Sequence, residues 1–200
     1  MNLLLLDVPE QIETNRFLLR VPKAHDGEKV YEALMDGYED TAKWLNWSAE
    51  VPTKDSVEVE CRQQHAQFIL RQDIRYLIID KESGVIVGRC ALPSSQAVWS
   101  IPQFGLGYFV RASRRGQGVA TEASHALTLL AFNILQAKKV EICADAENEA
   151  SRRVPEKLNF KLEYQKKGGW PRQDGQLANL LVFSLFSPMD LPQNFLFKAS

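Results

Sequence analysis

Residues able to do chemistry concentrate in one run, Gly107-Tyr-Phe-Val-Arg-Ala-Ser-Arg-Arg-Gly-Gln-Gly-Val-Ala-Thr-Glu122. An apolar strand leads into a turn bearing Gly116 and Gly118, and the turn opens an amphipathic stretch. Such a turn aims several main-chain N–H groups into one space at the positive end of a helix dipole, which makes a cradle for phosphate or pyrophosphate. The glycines let the backbone approach a ligand with no side chain between. Arg111, Arg114 and Arg115 add three positive charges within five residues. On the residues alone, a plain helix start competes with this reading. So does a dinucleotide fingerprint, Gly116-Gln-Gly118-Val-Ala-Thr121, with Glu141 and Asp145 near the ~20-residue acidic offset; it lacks the third glycine and a second βαβ half. A Gly-x-x-x-x-Gly-Lys-Ser/Thr phosphate loop is absent.

The elements that must hold this run are legible around it. The 200 residues, 45% hydrophobic and 24% charged, suffice for one substantial domain with its own core. Lys and Arg total 24 against 25 Asp and Glu, a net charge of −1, which argues against a nucleic-acid coat but not against a local anion site. Cys61, Cys90 and Cys143 are odd in number and far apart, with no His at ligand spacing, so neither a disulfide framework nor a metal site is expected. Met1–Pro9 carries four leucines but no basic residue, and Asp7 ends the run. It is too short for a signal peptide or a span, so a cytoplasmic protein without membrane contact is expected.

Alternation predicts strands at 17–21, 75–80, 85–90, 104–110, 139–143, 160–164 and 177–186, with Glu82-Ser-Gly84 as a hairpin turn and Ser94–Val98 as another. Helical spacing predicts helices after Asp26, from Thr53 or Asp55 to about Arg71, after Gly118 with Ala123, Leu127, Leu130 and Ile134 in one stripe, and over 149–158. The fold class is α+β: a mainly antiparallel meander interrupted by one strand-turn-helix-strand crossover.

Several motifs in order resemble the GCN5-related N-acetyltransferase (GNAT) superfamily, in its RimJ/RimL form. Arg115-Gly-Gln-Gly118-Val-Ala120 fits that family's Gln/Arg-x-x-Gly-x-Gly/Ala acyl-CoA pattern. Ile12-Glu-Thr-Asn-Arg-Phe-Leu-Leu-Arg20 is similar to its opening strand, and Gly107-Tyr108 to the end of its fourth strand. Glu122-Ala123 and Lys139-Val-Glu141 also match, and Asn148-Glu-Ala-Ser151 through Phe160 is close to Asn-x-x-Ser-x-x-x-x-x-Lys-x-Gly-Phe. The resemblance implies a mixed, mostly antiparallel central sheet of about seven strands, splayed between the fourth and fifth, with about four helices. It covers a single domain with a core of about 12–187 and a tail at 188–200.

What the resemblance implies for chemistry is acetyl transfer from acetyl-CoA to a primary amine, either a protein N-terminal α-amine or a small amine, with no metal. Main-chain groups of Phe109 and Val110 would hold the pantetheine arm. The N–H groups of Arg115, Gly116, Gln117, Gly118, Val119, Ala120 and Thr121 would hold the pyrophosphate, and Asn148 would steady the arm. Ser151 maps onto the proton donor to the leaving thiolate, and Trp44 and Trp47 flank the expected acceptor groove; aromatic core packing is the competing role for the two indoles. The general base has no obvious holder. Relatives often carry a Glu where Gly105 stands, and Gln165-Lys-Lys-Gly-Gly-Trp170, in the segment beyond Phe160 where ribosomal members place an acid, offers none before Asp174. Glu141, His125 and Asp174 are candidates by elimination, with Glu141 read as a strand-edge carboxylate and His125 as a helix-surface imidazole. An α-amine titrates near pH 8 and can shed its proton to water, so a base is dispensable for that acceptor. A non-catalytic acyl-CoA sensor of the same fold is the alternative. Monomer and homodimer stay open, and nucleic acid is not an expected partner.

Overall fold

A computed structural model describes residues 3–44, 51–93, 101–172 and 174–199. Trp47 and the turn expected at Ser94–Val98 lie outside the described residues. Short β1 (Gln11–Glu13) and β2 (Phe17–Arg20) are followed by α1 (Gly27–Met35), α2 (Tyr38–Ala42) and α3 (Lys54–Ile69). Then come β3 (Ile74–Asp80), β4 (Ile86–Leu92), β5 (Gln103–Val110), α4 (Val119–Asn133), β6 (Lys139–Asp145), α5 (Glu149–Lys157), β7 (Lys161–Pro171), β8 (Leu177–Leu185) and β9 (Lys198–Ala199). All nine strands form one sheet, ordered β7-β8-β6-β5-β4-β3-β2-β1-β9. Pairings are antiparallel except β5 with β6, which α4 joins as a crossover.

The sheet is wider than the seven strands expected because β1 and β9 pair at its far edge, through Ile12↔Ala199. Both are too short to carry an alternation signal. β7 runs to Pro171 rather than 164, and register shifts between Leu162 and Tyr164 and between Lys166 and Trp170 break the period that would have disclosed it. The start of α3 is where capping chemistry puts it: the Thr53 side chain accepts from Ser56 N, and the Ser56 hydroxyl accepts from Thr53 N.

Central β3 is covered on both faces. Ile74, Tyr76 and Ile78 point into the larger core with α4, whereas Leu77 packs with Val30, Ala33 and Leu34 of α1 and Val57 and Cys61 of α3. That two-sided burial is why its residues read as a near-continuous apolar run. Within α4, Ala123, Leu127 and Leu130 are fully buried, as their stripe requires.

The opposite side of α4 is covered as well. Residues 188–199 form a strap rather than a loose tail: Leu191 enters the core, Asn159 Nδ2 donates to Asp190 O at 2.9 Å, and β9 closes onto β1. His125 therefore lies buried beneath the strap and is not a surface imidazole. Its Nε2 is 2.9 Å from the Pro192 carbonyl, and its ring centroid is 4.9 Å from that of Phe195. A carbonyl only accepts, so Nε2 carries the proton and the buried Nδ1 has no partner among the described residues. Burial holds the His125 pKa below its ordinary 6.5, against weaker upward pulls from the Pro192 carbonyl and Glu122. The unfolded chain takes up this proton near pH 6.5 while the folded one resists, so the stabilisation is complete above that pH and is lost as pH falls through the folded value. His125→Gln, which still donates to Pro192 but cannot titrate, is expected to flatten the drop in Tm between about pH 7.5 and 5.5. Thermal unfolding across that range checks it, and an unchanged slope would assign the acid sensitivity to another group.

Candidate functional site

The parallel pairing of β5 and β6 runs from Gln103↔Lys139 to Leu106↔Ile142 and then stops. β5 continues to Val110 with only β4 beside it, and β6 continues to Asp145 with only β8. The two strands thus part beyond Leu106 and Ile142. The gap opens into a cleft of about 420 Å³ bounded by the ends of both strands, the 111–118 turn, α4, α5 and Trp44.

Ladder alternation decides which main-chain groups face this gap. Arg111 N donates to Val87 O, and a Cβ built on Gly88 would lie 2.2 Å from Phe109 O. The peptide groups of Phe109 are therefore turned to β4, and those of Tyr108 and Val110 face the cleft. Of the two residues expected to hold an extended arm, Val110 is placed to do so; Tyr108 takes the position expected of Phe109.

The turn after β5 leaves a run of main-chain N–H groups open. Gly116 and Gly118 have φ of +73° and +79°, a left-handed backbone that favours glycine. The first intrahelical bond of α4 is Glu122 N to Gly118 O, which leaves the amides of Val119, Ala120 and Thr121 open, as at any helix start. Those of Gly116, Gln117 and Gly118 likewise make no hydrogen bond among the described residues. Arg115 differs from the expectation: its amide donates to Ala112 O at 3.2 Å, so the open run begins at Gly116. The Arg115 side chain lines the cleft and hydrogen-bonds Thr41 Oγ1. Gln117 folds its side chain back to Ser113 O and contributes only main chain.

Long-range contacts hold the turn from both sides. Glu122, whose side chain is 2% exposed, accepts from Thr14 Oγ1 at 2.7 Å, Arg16 N at 2.8 Å and Arg16 Nε at 2.8 Å. Arg16 also donates to Gln117 O at 2.9 Å. On the other side, Asp36 pairs with Arg111 at 2.6 Å and accepts from the Ser113 hydroxyl. Those contacts, that of Ser113 foremost, keep the Asp36 carboxyl below the usual carboxylate range. Arg114 pairs with Asp80 at 3.2 Å. Two of the three arginines in this turn are thus spent on carboxylates, and the cationic pocket implied by their spacing is weaker than the count suggests.

Across the cleft, α5 begins at Asn148, whose side chain accepts from Ser151 N at 3.0 Å. Asn148 lines the cleft, but its side-chain oxygen is a helix cap. Ser151 also lines it, and its Oγ is 3.1 Å from Tyr108 Oη, which donates to the Ser151 carbonyl at 2.9 Å. Pro155 makes that carbonyl available. Proline four residues on has no N–H to return to Ser151 O, so the Tyr108 hydroxyl takes it. The helix starts at Glu149 and ends at Lys157, so Pro155 sits in its second turn, later than the first-turn position that would make it merely tolerated. Burial pushes the Tyr108 pKa up, against a smaller pull from Ser151, and keeps the phenol protonated.

The cleft mouth has its own cluster. Asp145, at the end of β6, is 1% exposed in its side chain and accepts from Arg172 Nε at 2.7 Å and Nη2 at 2.9 Å. Arg172 reaches Glu147 at 2.8 Å, and its guanidinium carbon is 5.5 Å from the ring centre of Trp44. Trp44 and Trp170 both line the cleft, so the indole at 44 faces the groove. The candidate bases do not gather here. Glu141 pairs with Lys139 at 2.7 Å, Asp174 caps the β7–β8 turn through Gln176 N, His125 is under the strap, and none of the three lines the cleft. Sequence reasoning gave no site role to Tyr108, Thr41, Trp170 or Arg172, and it named Asp145 only at the acidic offset of a dinucleotide fingerprint. A Gly-Tyr at a strand end, and a proline four residues after a serine, were the only local signals for the first. Among the described residues no cluster of three or more His, Cys, Asp or Glu could hold a metal ion, and no helix is long and apolar enough to cross a membrane.

A family model described as an acetyltransferase (GNAT) domain matches residues 16–161. Over 172 residues the chain is 28% identical to the Bacillus subtilis (strain 168) protein named "Putative ribosomal N-acetyltransferase YdaF", covering 84% of this chain and 89% of that one. Among solved structures, Mycobacterium smegmatis RimJ in complex with CoA-disulfide superposes with a TM-score of 0.82 at 21% identity, over 92% of this chain and 90% of that one. The microcin C7 self-immunity acetyltransferase MccE, in complex with acetyl-CoA and AMP, gives 0.78 at 17% identity, over 86% and 93%.

Proposed function

Because the chain belongs to the GNAT acetyltransferase domain family, we propose that it moves an acetyl group from acetyl-CoA to the N-terminal α-amine of a protein, with ribosomal proteins the first acceptors to try. The observation that carries this reading is the Tyr108–Ser151 hydroxyl pair, set where β5 and β6 part in the same cleft as the open turn at Gly116–Thr121. The open amides of Gly116, Gln117, Gly118, Val119, Ala120 and Thr121 bind the pyrophosphate. The cleft-facing main chain of Tyr108 and Val110 pairs with the pantetheine amides as an added strand would, and a free N–H on that edge supports the developing oxyanion. The acceptor nitrogen forms the new C–N bond as the C–S bond breaks. Ser151 gives its hydroxyl proton to the departing sulfur, and the proton the amine loses restores the balance through Tyr108 and solvent.

The acceptor enters between Trp44 and Trp170. There Asp145 and Glu147 outnumber Arg172 by one charge, which favours an incoming ammonium over an anion. A resident base is not needed when the amine titrates near pH 8. Ribosomal relatives and a cytoplasmic location go with this reading. Release of CoA thiol from acetyl-CoA, measured over N-terminal peptides of ribosomal proteins, polyamines and aminoglycosides, tests it. Turnover is expected on peptides with a free N-terminus and lost when that terminus is blocked. Turnover confined to polyamines or aminoglycosides would overturn the protein acceptor, and CoA binding with no turnover on any amine would favour the sensor alternative.

A further inference from the structure

We propose that Arg153 and Lys157, on the cleft face of α5, form a subsite for the 3′-phosphate of CoA and make the protein discriminate CoA from its 3′-dephospho form. This rests on the cofactor reading above and extends it to a group that the turn at Gly116–Thr121 leaves unattended. That turn accounts for one diphosphate. CoA carries a second phosphate on the adenosine ribose, beyond the pyrophosphate and away from the thiol, and a dianion there needs cations.

The charges lining the cleft are few. Arg114 is committed to Asp80, and Arg115 is turned to Thr41 and Val110 O. Asp145 is the only carboxylate among the described lining residues, and it is paired with Arg172. Arg115 keeps its charge beside the turn, and on α5 stand Arg153 and Lys157, four residues apart and so on one face of the helix. Lys157 makes no ion pair among the described residues. Arg153 pairs only with Glu149, through side chains 64% and 71% exposed, a contact weak enough to yield to a phosphate.

Direction along α5 supports the assignment. Ser151, beside the thiol end, and Lys157 are six residues apart, about 9 Å of helix rise at 1.5 Å per residue. A lysine side chain extends several ångströms further. The helix therefore offers the cleft a hydroxyl near its start and two cations further along, a separation suited to a ligand with a thiol at one end and a phosphate at the other. Arg153 stands at the edge of the cleft, where it also lines a neighbouring pocket with Glu147, Glu149, Arg152 and Glu156, whereas among the described residues that line the cleft itself no acid other than Asp145 is present.

Calorimetric titration of the intact protein with CoA and with 3′-dephospho-CoA reads this without any acceptor. The wild type is expected to bind CoA about tenfold more tightly, as two partly exposed charge-assisted contacts would give, and added salt should narrow the gap. In the Arg153→Met/Lys157→Met double variant, CoA affinity should fall to the dephospho level and the ratio to below about twofold. Circular dichroism verifies that the variant is folded. If it is not, the wild-type ratio and the single Lys157→Met variant decide. Equal binding of the two ligands by the wild type, or a ratio that survives both substitutions, overturns the subsite alone. Failure of the wild type to bind either ligand overturns the cofactor reading and the subsite with it.

Discussion

Ser151→Ala is expected to lower kcat by about 10²–10⁴-fold, the range for losing a proton donor in the transition state, with little change in the KM for acetyl-CoA. The split follows from the geometry. The open amides of Gly116–Thr121 lie on the opposite wall of the cleft and the Asn148 cap reaches Ser151 through its main-chain N, so removing Oγ leaves both in place. Tyr108→Phe should give a loss of the same kind but smaller. It removes the donor to the Ser151 carbonyl, which Pro155 cannot replace, and it breaks the only contact of Ser151 Oγ with a protein hydroxyl among the described residues. Groups acting as a unit do not add, so the double variant should cost little more than Ser151→Ala alone. Steady-state kinetics on the best peptide acceptor check all three. Undiminished turnover by Ser151→Ala would take Ser151 out of the mechanism.

Gly118→Val should weaken CoA binding by about 10²-fold or more while leaving the protein folded. At φ of +79° a β-branched residue is a genuine outlier, and such strain costs of order 1–3 kcal/mol. The new Cβ would also come within 3.3 Å of an Arg16 guanidinium nitrogen. That guanidinium cannot swing aside cheaply, because it is bonded to both Glu122 and Gln117 O. Relief comes from rotating the 117–119 peptides, which turns the open amides away from the phosphate. Two lost hydrogen bonds to a charged oxygen amount to about 3 kcal/mol, and each 1.4 kcal/mol is tenfold. Gly84 provides the control: it has φ of +69° with nothing within 4 Å, so Gly84→Val carries similar strain at the β3–β4 turn, which does not line the cleft. It should lower Tm and leave CoA affinity alone. Calorimetry and thermal unfolding on the pair separate backbone strain from loss of the cradle, and unchanged affinity in Gly118→Val would remove the turn from cofactor binding.

Local rules located much of what these predictions use. The strand-turn-helix around Gly116 and Gly118, the Thr53 cap and the Asn148-x-x-Ser151 start of α5 are all set by residues within a turn or two of each other. The misreadings have a common cause. His125 lies on the side of its helix opposite the predicted stripe, and that side is buried because residues nearly seventy positions later fold over it. The Arg111–Arg115 cluster loses two charges to Asp36 and Asp80, from elements far upstream. Phe109 and Val110 are neighbours in sequence, yet the ladder to β4 sends the peptide groups of one away from the gap.

The sequence by itself determined most of the segments, their order and the glycine turn that opens α4, because periodicity, capping and left-handed glycine are short-range properties of the chain. It also carried the family pattern, which the family model matches over residues 16–161. Only the tertiary structure decided which groups meet. Tyr108 and Ser151 are 43 positions apart, Asp145 and Arg172 27, and Glu122 and Thr14 108. Their contacts depend on where β5 and β6 stop pairing and on how the C-terminal strap and the β7–β8 hairpin close. That is set by the packing of the whole sheet, which no local spacing encodes.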